Sequence, residues 1–208
     1  MKILVFGATG PSGRQLVQQA LSQGHDVTAF ARNPDVLSAD KRLRIVAGDT
    51  TRDVDKIAAA VHGQDAVVSA LGRRKTFRSD NLIARSMHLI VPAMEQAGVR
   101  RLVVMSAFGV GESLRDAPLI PRIMYRVLLA DIFADKKTAE DEIRRSSLDW
   151  TIVYPVLLMD GPLTSHYRVG ERLELRGLPK ISRADVAHFM LAEMKNRAFV
   201  RKVAVLSY

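Results

Sequence analysis

The stretch Lys2-Ile3-Leu4-Val5-Phe6-Gly7-Ala8-Thr9-Gly10-Pro11-Ser12-Gly13 decides the fold. An apolar strand over residues 2–6 runs into a glycine-rich turn, and residues 12–23 then read as a helix with Leu16, Val17, Ala20 and Leu21 on one face. The glycines are spaced G-x-x-G-x-x-G. Chemistry that needs this pattern needs three things together: a tight turn, a backbone bare enough for a pyrophosphate to approach, and amide hydrogens at a helix N-terminus aimed at its charge. A strand before the turn and an amphipathic helix after it are the context such a dinucleotide site demands. A P-loop is excluded, because no Gly-Lys-Ser/Thr follows at the required spacing. Gly7, Thr9, Gly10, Pro11, Ser12 and Gly13 are therefore candidate cofactor-binding residues.

Outward from this turn, short β-branched runs alternate with helical patterns. Strands are predicted over 26–30, 43–47, 65–70, 101–105 and 150–154, and helices over 53–61 and 81–97, the latter stopped by Gly98. That alternation predicts an α/β, Rossmann-like, doubly wound parallel sheet in a single domain spanning residues 1–208. Past the sixth strand the rhythm changes. Residues 160–163 read as a turn-rich loop, 171–175 as a short strand, 182–194 as a helix and 200–206 as a closing strand. Ser182 and Asp185 have the spacing of a capping box. Residues from about 155 to 208 are expected to form a small substrate-side elaboration of the same domain.

The end of the second strand selects the dinucleotide. An acidic side chain there accepts from the 2′-hydroxyl of NAD, whereas an arginine pairs with the 2′-phosphate of NADP. The sequence reads Phe30-Ala31-Arg32-Asn33-Pro34, so Arg32 points to NADP(H).

Composition narrows the alternatives. The 208 residues include 31 Lys and Arg, 22 Asp and Glu and no cysteine, for a formal charge of +9. Disulfides, thiolate metal sites and cysteine nucleophiles are thereby excluded. The five histidines include no pair at i, i+4 spacing, so no metal site is expected. Residues 1–72 carry 8 basic and 7 acidic side chains, while 73–101 carry 7 and 2. The excess thus has two sources, a short block at Arg73, Arg74, Lys75 and Arg78 just after the fourth strand, and scattered positions in residues 151–208, which carry 9 basic and 5 acidic side chains. That block, with Phe77 inside it, reads either as recognition of an anionic acceptor or as a solvated loop. There is no nucleic-acid-binding motif or basic tail, and no nucleic-acid partner is expected. The most apolar stretch, residues 118–134, is interrupted by Arg122, Arg126 and Asp131. It falls short of the roughly 18 uninterrupted apolar residues of a spanning helix. Core packing is its default reading, with a lid or a dimer face as alternatives. A cytoplasmic protein without membrane association is expected, and monomer and dimer both stay open.

These residues carry a resemblance over nearly the whole chain to atypical short-chain dehydrogenase/reductase proteins with an NAD(P)-binding, NmrA-like domain. Within that group the chain is most similar to the flavin reductase/biliverdin IXβ reductase branch. The matching stretches are 7–13, the Arg32 turn, Ala47-Gly48-Asp49, Gly63-Gln64-Asp65-Ala66-Val67, Met105-Ser106-Ala107-Phe108, Gly161-Pro162-Leu163-Thr164 and residues 181–191, the last two being the most particular. The resemblance implies that Asp49 and Thr50 flank the adenine. Leu71, Gly72 and Arg73 would lie along the cofactor, as would Tyr154, Pro155 and Val156. Ser106 would face the nicotinamide and Lys136 would hold its ribose, so that both serve as candidate catalytic residues.

Two departures qualify that picture. Family members with a Tyr-x-x-x-Lys pair use tyrosine as acid or base, but Ile132 stands at that position, and Tyr125, about two turns upstream, is no obvious substitute. The histidine that biliverdin reductases place after the proline ending strand six is also missing, since Pro155 is followed by Val156 and Leu157. Without either acid, an acceptor that takes hydride and needs little protein-supplied protonation is expected, such as a flavin, with quinones fitting for the same reason. The rival reading is a non-catalytic NmrA-like redox sensor that binds NADP(H).

Overall fold

The computed structural model describes residues 1–72, 79–111 and 130–208. The basic block at 73–78, with Arg73, and most of the apolar stretch, with Tyr125, lie outside the described residues.

Ten strands and five α-helices are described. The strands β1 (Lys2–Phe6), β2 (Asp26–Ala31), β3 (Leu43–Ala47), β4 (Ala66–Ser69), β5 (Arg101–Met105), β6 (Asp149–Pro155) and β10 (Lys202–Ser207) pair in parallel. A short antiparallel strand β8 (Arg168–Gly170) closes one edge, giving the order β3-β2-β1-β4-β5-β6-β10-β8. Two further strands, β7 (Leu157–Met159) and β9 (Lys180–Ser182), pair separately beyond the end of β6.

Helices α1 (Pro11–Ser22) and α5 (Arg183–Asn196) pack together on one face of the sheet. On the other face α3 (Leu82–Gln96) packs between α2 (Val54–Val61) and α4 (Ala130–Arg145). Covered on both faces, the central strands are apolar along their whole length: Ile3, Leu4, Val5, Phe6, Val67, Val68, Leu102 and Val103 are all fully buried. The expected doubly wound sheet is therefore observed. Its order reverses between β1 and β4, and the loops after these two strands open at the crevice where such folds bind ligands.

The stretch read as a strand over 171–175 is not one. The free edge of β10 is taken by Arg168, Val169 and Gly170, opposite Ser207, Leu206 and Val205, and the chain then turns away from the sheet. The alternation of Leu173 and Leu175 reflects their packing against the core without a strand partner. The capping box is half formed. The Asp185 amide donates to Ser182 Oγ at 3.0 Å, but the Ser182 amide donates to Tyr208 Oη at 3.2 Å instead of to Asp185. The sheet and its flanking helices use β10 and α5, so residues 155–208 supply part of the central architecture as well as the outlying β7–β9 pair.

Candidate cofactor and reaction site

The glycine turn has the geometry its spacing predicts. Gly7 adopts φ +76°, and a Cβ there would lie 2.7 Å from the Ala70 carbonyl. A Cβ on Gly13 would come within 2.0 Å of the Gly7 oxygen. These two positions let the loop after β1, the start of α1 and the end of β4 meet at backbone distance. The Gly10 amide donates to the Gly7 carbonyl at 3.0 Å, and Pro11 supplies the first helical residue, where its missing N–H costs nothing. The Arg14 amide, donating to Gly10 at 2.8 Å, is the first bond of the helix. The amides of Ser12 and Gly13 thus lack intrahelical acceptors, and no acidic side chain occupies the first turn. An anion fits this end, since its charge meets free N–H groups and the positive end of the helix dipole.

A cleft opens from this turn. Gly7, Thr9, Gly10, Arg32, Thr50, Leu71 and Gly72 line it, together with Phe30, Ala31 and Leu82. Arg32 is exposed and makes no ion pair among the described residues, so its guanidinium is available to a ligand. Asp49 is committed to the local turn: its Oδ1 accepts from the Thr51 amide at 2.9 Å and the Thr51 hydroxyl at 2.8 Å. Those bonds hold its carboxyl below the usual range, with Arg52 and Arg32 contributing. The Thr50 hydroxyl bonds Ser86 Oγ at 2.7 Å, which fixes the cleft wall to α3.

A second group of candidates gathers where β5 and β6 end. Ser106 and Tyr154 are buried, and both donate to one carboxyl, that of Glu140 on α4, at 2.5 Å each. Burial pushes the Glu140 carboxyl above its ordinary range, against the opposing pull of those two hydrogen bonds and of Arg144 and Lys136. It also pushes the Tyr154 phenol up, helped by the adjacent Glu140. Lys136 is buried one turn before Glu140, and its ammonium is pushed down to about 8 by burial despite Glu140 and Asp135. Asp135 itself accepts from the Ile83 and Ala84 amides at 3.1 and 2.8 Å, capping α3 in place of Asn81, which makes no side-chain cap. Pro155 and Val156 pack at the same strand ends, where their backbone joins the sheet: Phe108 donates to Pro155 and Val156 to Leu206. No sequence motif singles out Glu140 as a site residue. It lies in the run Glu140-Asp141-Glu142, and only tertiary packing singles it out from its two acidic neighbours.

The particular motifs at 161–164 and 181–191 meet through Asp185. Its carboxyl accepts from the Thr164 amide and hydroxyl, the Ser165 amide, the Ser182 hydroxyl and the Tyr208 hydroxyl, at 2.6 to 3.0 Å. His188 Nδ1 meets the Tyr167 hydroxyl at 2.8 Å in a cluster with Phe189 and Phe199.

A doubly wound sheet with a glycine cradle at its switch point defines a dinucleotide-binding Rossmann protein. The chain belongs to the NAD(P)H-binding family, which matches residues 7–197, in agreement with the NmrA-like resemblance of its motifs. An uncharacterized chloroplastic protein of Arabidopsis thaliana is 32% identical over 79% of this chain and 62% of its own. Photosystem II assembly factor Ycf39 of Synechocystis is 27% identical over 97% of this chain and 61% of its own. The chain thus spans about three fifths of the length of these two relatives. A solved protein of Burkholderia pseudomallei superposes with a TM-score of 0.81 at 30% identity, covering 100% of both chains. The anaerobilin reductase ChuY of Escherichia coli O157:H7 gives 0.82 at 24%, covering 99% and 96%. A short-chain dehydrogenase/reductase of Veillonella parvula in complex with NADP gives 0.80 at 19%, covering 100% and 94%. The last two likenesses bear on the fold. The chain is an NAD(P)H-binding protein, and no helix among the described residues is long and apolar enough to cross a membrane.

Proposed function

We propose that the protein is an NADPH-dependent reductase that delivers hydride to a flavin or a similar aromatic acceptor. The observation that carries this reading is the pairing, on one edge of the sheet, of a glycine cradle walled by Arg32, without an ion pair among the described residues, with a buried polar cluster at the ends of β5 and β6. The Ser12 and Gly13 amides hold the pyrophosphate, and Arg32 pairs with the 2′-phosphate. Asp49 and Thr50 flank the adenine, and Leu71 and Gly72 run along the cofactor. Ser106 faces the nicotinamide, Lys136 holds its ribose, and Tyr154, Pro155 and Val156 close that end. The bound reduced nicotinamide supplies the hydride. The chain orients the acceptor against it and keeps water out. The anaerobilin reductase among the structural neighbours supports an aromatic acceptor by analogy of fold. A cytoplasmic setting, with its supply of reduced nicotinamide, belongs to this reading.

The second reading is an NADP(H)-sensing regulator, favoured by Ile132 standing four residues before Lys136, where a phenol would act, and by the assembly factor among the relatives. Oxidation of NADPH, followed by loss of its absorbance with FMN, riboflavin, biliverdin and quinones in turn, separates the two. Turnover with one of these supports the reductase. Tight NADP+ binding without turnover on any of them establishes the regulator instead.

A further inference from the structure

We propose that Glu140 is the proton store of this site, taking protons from a polar groove beside α4 and passing them through the Ser106 hydroxyl to the C-terminal edge of the sheet. The inference rests on reading that edge as the nicotinamide end of the cofactor site. Glu140 touches no ligand on this view and acts through Ser106, so it is a positioning residue.

The geometry has two sides. Glu140 is only 2% exposed, and its Oε1 takes the Ser106 hydroxyl while Oε2 takes the Tyr154 hydroxyl. Behind Glu140 and Tyr154 lies a groove of about 530 Å³, bounded also by Arg144, Arg172, Arg201 and Lys202. The carboxyl therefore stands between Ser106, which follows β5, and a water-accessible channel. The charged and titratable groups around it are Lys136 and Arg144 on its own helix, the latter at 3.7 Å, and Tyr154 from β6. Across the groove stand Glu171, Arg172, Arg201 and Lys202. Glu171 is paired with Lys202 at 2.6 Å and Asp141 with Lys137 at 2.5 Å, so neither acid competes as the groove's free proton acceptor. Burial outweighs the nearby cations and favours the protonated carboxyl.

In the transfer, the Ser106 O–H bond breaks as its proton goes to the acceptor. The Glu140 Oε1–H bond breaks in concert and a new Oγ–H bond forms on Ser106. With the hydride that a bound reduced nicotinamide would supply, the acceptor gains one hydride and one proton, and the carboxylate left on Glu140 balances the positive ring formed. Glu140 is left as a carboxylate accepting from Ser106 and Tyr154, the arrangement seen here, and is reprotonated by groove water. Such a relay extends the acceptors from those that take hydride alone to conjugated molecules that must also be protonated. It also supplies the acid that Ile132 cannot.

The test measures protons with the full chain and cofactor, without turnover. NADP+ and NADPH are titrated into wild type and Glu140→Gln in weakly buffered solution containing an indicator dye. The positive ring of NADP+ beside Ser106 lowers the proton affinity of Glu140. Wild type is therefore expected to release up to about one more proton per bound NADP+ than the variant, with no such difference for NADPH, whose nicotinamide ring is uncharged. By the same linkage wild type should bind NADP+ roughly tenfold tighter than the variant, while NADPH binds both within about twofold. Infrared titration of the ligand-free protein supplies the second reading: a protonated-carboxyl band that persists after the ordinary carboxyls have ionised, and is missing in the variant. Ser106→Ala keeps both that band and the extra release, because the proton leaves through the groove, so the store is still read if the Glu140 variant fails to fold. Equal proton release from both proteins, or no such band in wild type, overturns the store while leaving the cofactor reading intact. Failure of NADP+ to bind wild type overturns the cofactor reading, and the store with it.

Discussion

Arg32 stands at the end of β2 with its side chain exposed to the cleft and no carboxylate paired to it among the described residues. A guanidinium left without a partner costs little in water and offers its full hydrogen-bonding fork to a phosphate. Arg32→Glu removes that contact and sets a negative charge in its place. NADPH binding is expected to weaken roughly 10- to 100-fold, at about 1.4 kcal/mol per tenfold, with NADH changed by no more than about twofold. Fluorescence titration with the two nucleotides reads this directly, and an equal loss for both would remove Arg32 as the selector. Arg32 is readable in the sequence because its role depends on a local position, the end of a strand one turn from the glycine loop. Glu140 is not readable in that way. It is one of three consecutive acids on an amphipathic helix, and its separation from Asp141 and Glu142 comes only from packing against Ser106 and Tyr154.

Helix α4 concentrates costs that a purely structural helix would avoid. Asp135, Lys136, Ala139, Glu140 and Ile143 all face inward, yet only Ala139 and Ile143 are apolar. Asp135 is accounted for, since it caps α3. Lys136 makes no hydrogen bond or ion pair among the described residues, and burial lowers its pKa from 10.5 to about 8. Between those values the unfolded chain binds a proton that the folded chain releases, so stability should rise with pH over that window. Below about pH 8 the lysine is charged in both states and the full cost of burying it is present. Lys136→Met should therefore flatten the rise and stabilise the protein at pH 7 by up to about 3 kcal/mol, as measured by urea unfolding at several pH values. The same variant should bind NADP+ more weakly, because a costly buried ammonium is retained for its ligand. Unchanged affinity in the stabilised variant would refute the ribose role of Lys136. The helices predicted over 53–61 and 81–97 follow from periodicity, which acts locally, whereas the sequence reading places no helix at α4. The misplaced strand at 171–175 shows where that reasoning ends. Alternation marks which side chains are buried, but the pairing of β8 is set by the edge that β10 leaves open.

The chain as a whole is closed by Asp185, which gathers the loop after β7, the start of α5 and the last residue of the chain around one carboxyl. Five donors converge on its two oxygens, so the motif at 161–164 and the motif at 181–191 are two halves of one structure. Burial raises the cost of its charge, but the hydrogen bonds from Tyr208, Ser165 and Thr164 outweigh it and hold the carboxyl below its ordinary value. A depressed native value means the stabilisation is complete above the unfolded pKa of about 3.9 and is lost as pH falls through that value and below. Asp185→Asn keeps the shape but offers one neutral acceptor where two charged oxygens stood, and turns an amide donor toward groups that are themselves donors. The expected loss is about 3 kcal/mol at pH 7, shrinking toward pH 3 as the wild-type carboxyl protonates. Protease cleavage within 160–168 should increase alongside it, because this loop is held by Asp185 through the Thr164 and Ser165 amides. NADP+ affinity should change little, since the glycine cradle lies at β1 and α1 and shares none of these bonds. Urea unfolding, limited proteolysis and nucleotide titration on the same variant separate the closure of the molecule from the assembly of its cofactor site. A variant that kept full stability but lost NADP+ binding would place Asp185 in that site and refute its role as the clasp.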